Sequence, residues 1–429
     1  MKAEITDVVA RRVWDSRGRP TVEVEIGTAG GPRGRAIAPA GASTGSGEAV
    51  DLRDGGAALG GLDVHRAVAN VRETIAPALK GHDAADQATV DGILTGLDGT
   101  ANCARLGGNA MIATSMAAAH AAAAAAGVPL WRHFAGGGDP GPLPLPEIQI
   151  FGGGAHAARR VDVQDFMVSA VGAPDYGTAL DWTAEVYRAA GRIMADTGRL
   201  QGVADEGGYW PAFTTNEEAI ETLVRSIEAA GRIPGEEVAI TLDVAASEFG
   251  EKGRYRLARE GRELDSEAMA ALVLSWLERY PVVSVEDPLG EDDGEGLAAF
   301  TRAAGPAVQV VGDDFTVTDA ARVEAAARSG ACNALLLKPN QAGTLTAARA
   351  ALEAVRRAGW GCIVSARSGE TEDVTIVHLA VGWGVHQLKV GSFARSERMA
   401  KWNEGLRLSE TLPTGGALPP RAAFPWGGR

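Results

Sequence analysis

The chain is short of cysteine, aromatics and lysine and has no long apolar run, and these shortages narrow the kind of protein it can be. Its three cysteines, Cys103, Cys332 and Cys362, have no metal-ligand spacing and cannot all pair. Neither a zinc site nor a disulfide framework is expected, and a reducing, cytoplasmic setting follows. No stretch of about eighteen apolar residues exists, so no transmembrane helix is expected. The opening MKAEITDVVARR lacks the apolar stretch of a signal peptide. Basic residues number 41 against 55 acidic ones, a net charge of −14. That balance argues against nucleic acid and anionic membrane as partners. It leaves room for an anionic small-molecule substrate, because a metal ion and a few basic side chains can reverse the sign locally.

What is present is globular in composition, 45% hydrophobic over 429 residues. That length exceeds one ordinary core and implies either several domains or one large barrel with an added module. The first region, residues 1–138, reads as α+β. Alternation predicts strands over Val8–Val13 and Thr21–Ile26, joined by the turn Ser16-Arg17-Gly18-Arg19-Pro20, with a third short strand at Arg35–Ala38. A Gly/Ser loop, PAGASTGSGE (Pro39–Glu48), precedes helical patterns. The alanine-rich Ala117–Ala126 reads as a buried helix. A Gly/Pro linker at Gly136–Pro146 marks the boundary to a second region, residues 139–429.

In the second region short apolar strands recur, each ending in a polar residue: Val238–Asp243, Val282–Glu286, Val308–Asp313, Ala334–Lys338, Gly361–Ser365 and His386–Lys389. Helical segments such as Ser266–Arg279, Asp319–Ser329 and Thr344–Ala358 lie between them. Continuously apolar strands separated by helical crossovers predict a parallel β/α sheet. An open doubly wound sheet and a closed barrel both fit. No G-x-G-x-x-G follows the first strand, and a closed barrel brings strand C-terminal ends to one site, so the barrel is the reading adopted.

Those strand ends carry Asp243, Glu286, Asp313, Lys338 and Lys389. Three carboxylates on successive tips suit a hard divalent cation such as Mg²⁺, which takes oxygen ligands. Lys338 and Lys389 share the ring; apolar walls and a nearby cation both predict a lowered pKa, suited to a base. The bland alternative is that the lysines are salt bridges to those acids. Asp205-Glu206-Gly207-Gly208 offers Glu206 as a general acid, and Gly152–His156 carries a single histidine; each signal is weak alone.

Together these segments resemble the enolase family along essentially the whole chain. The motifs are DSRGRPTVEVE (Asp15–Glu25), GASTG (Gly41–Gly45), QDFM (Gln164–Met167), DEGG (Asp205–Gly208), LDVAASEF (Leu242–Phe249), VEDP (Val285–Pro288), GDDFTVT (Gly312–Thr318), LLLKPNQAGT (Leu335–Thr344), SGETED (Ser368–Asp373) and KVGSFARSER (Lys389–Arg398). The resemblance implies an enolase-type β/α barrel behind an α+β capping domain, assembled as a homodimer or larger symmetric oligomer. It implies a first Mg²⁺ on Asp243, Glu286 and Asp313, and a second contacted by Ser43. Lys338 would be the base toward 2-phosphoglycerate, Lys389 the lysine facing its carboxylate, Glu206 the acid at the 3-hydroxyl, and Arg367 and Ser368 the phosphate pair.

The departures from the family pattern gather around the substrate. The family run S-H-R-S-G-E reads Ser365-Ala366-Arg367-Ser368 here, and Q-E-F-M carries Asp165 in place of glutamate. N-G-G-x-H-A-D-N-N becomes Gly152–Arg160, keeping His156 but placing Arg159 and Arg160 where asparagines stand; Trp210 replaces a small residue. The enlarged pocket and the two arginines, suited to phosphate or carboxylate, predict a specialised paralogue that accepts a further anionic group, as in phosphonate antibiotic pathways (carboxyphosphonoenolpyruvate synthase). The alternatives are an ordinary phosphopyruvate hydratase and a non-catalytic protein on the same scaffold.

Overall fold

The structure is a computed structural model describing residues 3–428. It opens with an antiparallel meander of β1 (Ile5–Trp14), β2 (Pro20–Thr28) and β3 (Arg33–Ile37), in which Ala10 pairs with Val24. β2 is the central strand. Its Val22, Val24 and Ile26 are fully buried, while Glu23 and Glu25 on the other face are held by Arg11 and Arg33. The helix Gly108–Ala126 packs on this sheet. Its alanines permit very close approach: a Cβ on Gly34 of β3 would lie 2.0 Å from the Ala121 backbone nitrogen. The predicted helix at Ala117–Ala126 is the C-terminal half of this longer one, which ends at Gly127 in the left-handed conformation.

The second region closes into an eight-stranded barrel. Its strands are β4 (Leu145–Gly152), β5 (Asp165–Ser169), β6 (Ala239–Asp243), β10 (Val282–Glu286), β11 (Gln309–Gly312), β12 (Ala334–Leu337), β13 (Gly361–Ser365) and β14 (Gln387–Ser392). A small three-stranded sheet, β7 (Gly250–Glu251), β8 (Arg254–Leu257) and β9 (Arg262–Asp265), projects after β6. The predicted barrel is therefore present: of its six expected strands two match end to end and the other four differ by one to three residues at an end.

Two features correct the expectation of a uniformly parallel repeat. β5 runs antiparallel to both β4 and β6. No α-helix separates β4 from β5, only a short 3₁₀ turn, so the chain reverses directly. Two helices, Tyr176–Asp196 and Asn216–Ala229, then follow in succession before β6. In addition, Leu145 and Pro146, at the end of the expected linker, already belong to β4. Among the described residues no helix is long and apolar enough to cross a membrane.

The mouth of the barrel opposite the strand C-terminal ends is plugged by the end of the chain. Phe424 and Trp426 stack with centroids 4.8 Å apart and pack with Leu145, Ala239 and Val283, at the beginnings of β4, β6 and β10. Trp426 is 1% exposed. Trp426→Ala should destabilise the protein by about 3–5 kcal/mol, the usual cost of emptying a large buried aromatic site. Urea unfolding would check this; a midpoint unchanged from wild type would mean the plug contributes nothing.

Candidate active site

The apolar strands end together on one face of the barrel, and their terminal polar residues point into one cleft. Its lining includes Ser43, His156, Gln164, Asp165, Glu206, Asp243, Lys338, Ala366, Arg367, Ser368 and Lys389. Glu286 and Asp313 adjoin it through the lysines. Lys389 Nζ donates to Asp243 Oδ2 at 2.7 Å and to Glu286 Oε2 at 2.9 Å, with Asp165 Oδ2 at 3.5 Å. Lys338 Nζ pairs with Asp313 Oδ2, whose other oxygen accepts from Gln341 Nε2 at 2.9 Å. Gln164 Nε2 donates to Asp243 at 3.1 Å.

The lysine pKa values depart from the sequence expectation. Burial does push Lys338 and Lys389 down, but neighbouring acids outweigh it. Asp313 raises Lys338, and Asp243 and Glu286 raise Lys389 well above the ordinary lysine value. The chain's own carboxylates lie closer to each ammonium than the apolar walls alone suggest, so the charged form prevails. Glu286 moves the other way: burial and the adjacent Asp243 raise it well above the usual carboxylate range.

Opposite this ring lies a second cluster. His156 Nδ1 is 2.9 Å from Asp165 Oδ1, and Nε2 is 3.0 Å from Ser368 Oγ and 3.6 Å from Glu206 Oε1. Burial lowers the imidazole pKa, but Asp165 and Glu206 overcome it and raise it to about 9. Asp165 is depressed in turn, since His156 and Lys389 outweigh its burial. The shorter Asp165 thus still reaches the histidine.

The three buried carboxylates Asp243, Glu286 and Asp313 face the two ammonium groups, and Glu286 Oε1, though buried, has no hydrogen-bond partner. An oxygen-rich set with one excess negative charge and one unpartnered oxygen fits a hard divalent cation. Ser43 is buried on the Gly/Ser loop, and its carbonyl accepts from Arg367 Nη2 at 3.0 Å. The methyl of Ala366 faces the cleft, while its backbone nitrogen donates to the Lys389 carbonyl at 2.9 Å.

Arg159 and Arg160 do not join the cleft lining. Ala158 and Arg159 adopt left-handed conformations, φ 49° and 57°, and the exposed Arg159 guanidinium is 2.9 Å from Glu248 on the outer surface. Conversely, several residues given no role from sequence do enter the site or hold it. Gln149 bonds Asp165, Glu48 bonds Arg367, and buried Arg398 donates to the carbonyls of Arg367 and Val390 at 2.7 and 2.8 Å. Glu48, Gln164, Gln341 and Arg398 all fall within or beside segments visible as motifs, but their partners are distant in sequence.

The arrangement agrees with the comparisons to known proteins. The family model described as "Enolase, N-terminal domain" matches residues 5–134, and "Enolase, C-terminal TIM barrel domain" matches residues 141–420. The chain belongs to the enolase family. It is 45% identical over 424 residues to "Enolase 1" of Desulfitobacterium hafniense (strain Y51), an alignment covering 98% of this chain and 97% of that relative. It is thus an enzyme of the enolase superfamily, of lyase type, with acidic residues able to hold a metal.

The His156 environment sets a pH signature. Its folded-state pKa of about 9 lies above the ordinary 6.5, so the folded protein holds the proton more tightly. The resulting stabilisation is complete below pH 6.5 and is lost as pH rises through about 9, amounting to about 3 kcal/mol at most. In metal-free protein, wild-type stability should fall relative to His156→Gln across that window in urea titrations. A pH-independent difference would refute the charged imidazole.

Proposed function

We propose that the protein is a phosphopyruvate hydratase, converting 2-phosphoglycerate to phosphoenolpyruvate and water with Mg²⁺. The observation carrying this reading is one cleft that offers Lys338 on one strand end and Glu206, beside His156, from another segment, with cationic side chains between. The high identity to a relative named "Enolase 1" supports it over the specialised phosphonate-type paralogue. So does the outward placement of Arg159, which leaves no added anion site formed by that arginine. Retention of both lysines and every acid of the ring weighs against a non-catalytic scaffold.

In this reading Asp243, Glu286 and Asp313 hold Mg²⁺, with Ser43 available to a second ion. When bound, the metal supplies positive charge that stabilises the negative charge developing on the substrate. Arg367 and Ser368 receive the phosphate, and Lys389 faces the carboxylate. Lys338 Nζ takes the proton from C2. It can do so only when Asp313 no longer holds it charged; burial then favours the neutral amine. Glu206 gives a proton to the 3-hydroxyl, which leaves as water. His156 bridges Glu206, Asp165 and Ser368, and so fixes the acid relative to the phosphate pair.

Incubation with 2-phosphoglycerate and Mg²⁺, followed by the ultraviolet absorbance of the enol phosphate, tests the proposal. Turnover on the order of 10 s⁻¹ is expected. Lys338→Ala should lower kcat by about 10²–10⁴-fold with an unchanged circular dichroism spectrum. Mg²⁺ should raise the Tm of wild type and not of Glu286→Gln. Absent turnover in wild type, with Mg²⁺ still stabilising it, would return the specialised reading; absent metal stabilisation as well would return the non-catalytic one.

The proposal includes a cytoplasmic setting and a homodimer or larger symmetric oligomer. Val9 and Trp14 on β1 are 38% and 51% exposed, an apolar contribution that a partner copy would cover. Light scattering should give at least twice the chain mass; a monomer at micromolar concentration would exclude the assembly.

A further inference from the structure

The phosphate arm of the site depends on a carboxylate that neither the metal ring nor the acid–base pair accounts for. Glu48 ends the Gly/Ser loop and is buried against Arg367. Its Oε2 accepts from Arg367 Nη1 at 2.8 Å and its Oε1 from Nη2 at 3.1 Å. Oε1 also accepts from the Gly45 backbone at 3.0 Å and from Gln341 Nε2 at 3.2 Å. The same Gln341 nitrogen donates to Asp313 at 2.9 Å, and its carbonyl oxygen accepts from Thr318 at 2.7 Å. One carboxylate thus joins three parts of the site: the Ser43 loop, the guanidinium and, through Gln341, a carboxylate of the ring.

A negative group beside an anion-binding arginine looks counterproductive, but the donor count resolves this. A guanidinium has five N–H donors. Two go to Glu48 and one to the Ser43 carbonyl, which leaves the others for an incoming anion. Without Glu48, Arg367 has other acids in its field: Asp313 and Asp314 both act on it. A buried arginine freed from its bidentate partner would turn toward them, away from the phosphate position. The fork geometry of a carboxylate–guanidinium pair fixes the plane as well as the place of the cation.

The geometry points to Glu48 as the positioning residue for the phosphate arm, holding Arg367 in its anion-binding orientation and latching the Ser43 loop to it. This inference rests on the hydratase reading, which makes Arg367 the phosphate-binding residue; inorganic phosphate tests that role apart from turnover. Glu48→Gln keeps the size and one acceptor but loses the charge. In the full-length protein with Mg²⁺, it should raise the KM for 2-phosphoglycerate by about tenfold or more, the weight of one charge-assisted hydrogen bond, and change kcat less than KM. Amide hydrogen exchange across residues 41–49 should accelerate in the variant without substrate. Combining it with Arg367→Lys should add much less than the sum of the single effects, because both changes break the same pair. Inorganic phosphate, titrated by calorimetry, should bind Glu48→Gln more weakly than wild type. If wild type turns over no 2-phosphoglycerate, the hydratase reading fails, while phosphate affinity and loop exchange still decide the role of Glu48. A KM, phosphate affinity and loop exchange all within twofold of wild type would overturn it, as would a lower Tm unaccompanied by change in those three.

Discussion

The Lys389 ammonium, set between Asp243 and Glu286, is the contact on which the site is built. It ties β14 to β6 and β10 across the open end of the barrel. Buried ions are costly unless paired, and the pairing here is almost complete. Lys338 answers Asp313, and His156 answers Asp165. Asp165, Asp243, Glu286, Asp313 and Glu206 outnumber the two lysines and His156, and the surplus shows at Glu286, whose pKa is raised and one of whose oxygens has no partner. The cleft therefore holds more acids than cations, which is the electrostatic basis for reading it as a cation site. The two lysines and the metal acids form one system, so the charge state of either lysine depends on what its carboxylates are bound to.

Around this ring the Arg367–Ser368 side is held by contacts from opposite ends of the chain. The segment after β13 exchanges backbone hydrogen bonds with the N-terminal region: Gly369 donates to the Ala40 carbonyl at 2.8 Å and Ala40 donates back at 2.9 Å, while Ser16 donates to the Glu370 carbonyl at 2.8 Å. Gly369 is required by this approach, since a Cβ there would lie 2.3 Å from Asp15 Oδ2. From the other side Arg398 grips the carbonyls of Arg367 and Val390. The N-terminal region thus holds the segment after β13 that carries Arg367 and Ser368. The barrel supplies the ring of acids and lysines, and the N-terminal region supplies Ser43 and Glu48.

Most of the barrel was legible because its strands are apolar runs, a pattern that burial on both faces imposes, and each expected run stops at a polar residue. β4 begins in the last two residues of the Pro-rich linker, and β5 lacks the helical crossover that flagged the others. The chain's reversal there is set by tertiary packing, which periodicity does not record. That Asp243, Glu286, Asp313, Lys338 and Lys389 meet at one end of the barrel was legible for the same reason as their strands. Their protonation was not: the apolar neighbours of Lys338 are visible in sequence, but its pairing with Asp313 depends on barrel closure. Glu48 was unreadable as a site residue because its partner lies 319 positions away. Arg159 had the right chemistry for an anion and the wrong direction, fixed by two left-handed residues that are not glycine.

Of the replacements at family positions, the two in the cleft lining, Asp165 and Ala366, can now be separated by their physical effect. Asp165 keeps its negative charge, and despite its shorter side chain remains in contact with His156 and within 3.5 Å of Lys389. The charge balance on the acid side of the cleft is therefore intact, and the change moves atoms without altering the count. Ala366 differs, because a methyl at 6% exposure replaces an imidazole and donates nothing to the cleft. A neutral histidine there would also leave the balance of acids and cations unchanged. Its loss alters the shape and hydrogen bonding next to Lys389 rather than the electrostatics of the ring. That places any divergence from ordinary family behaviour in which substrates fit and how water is held near Ala366, and leaves the contacts among Lys338, Asp313, Glu206 and His156 untouched.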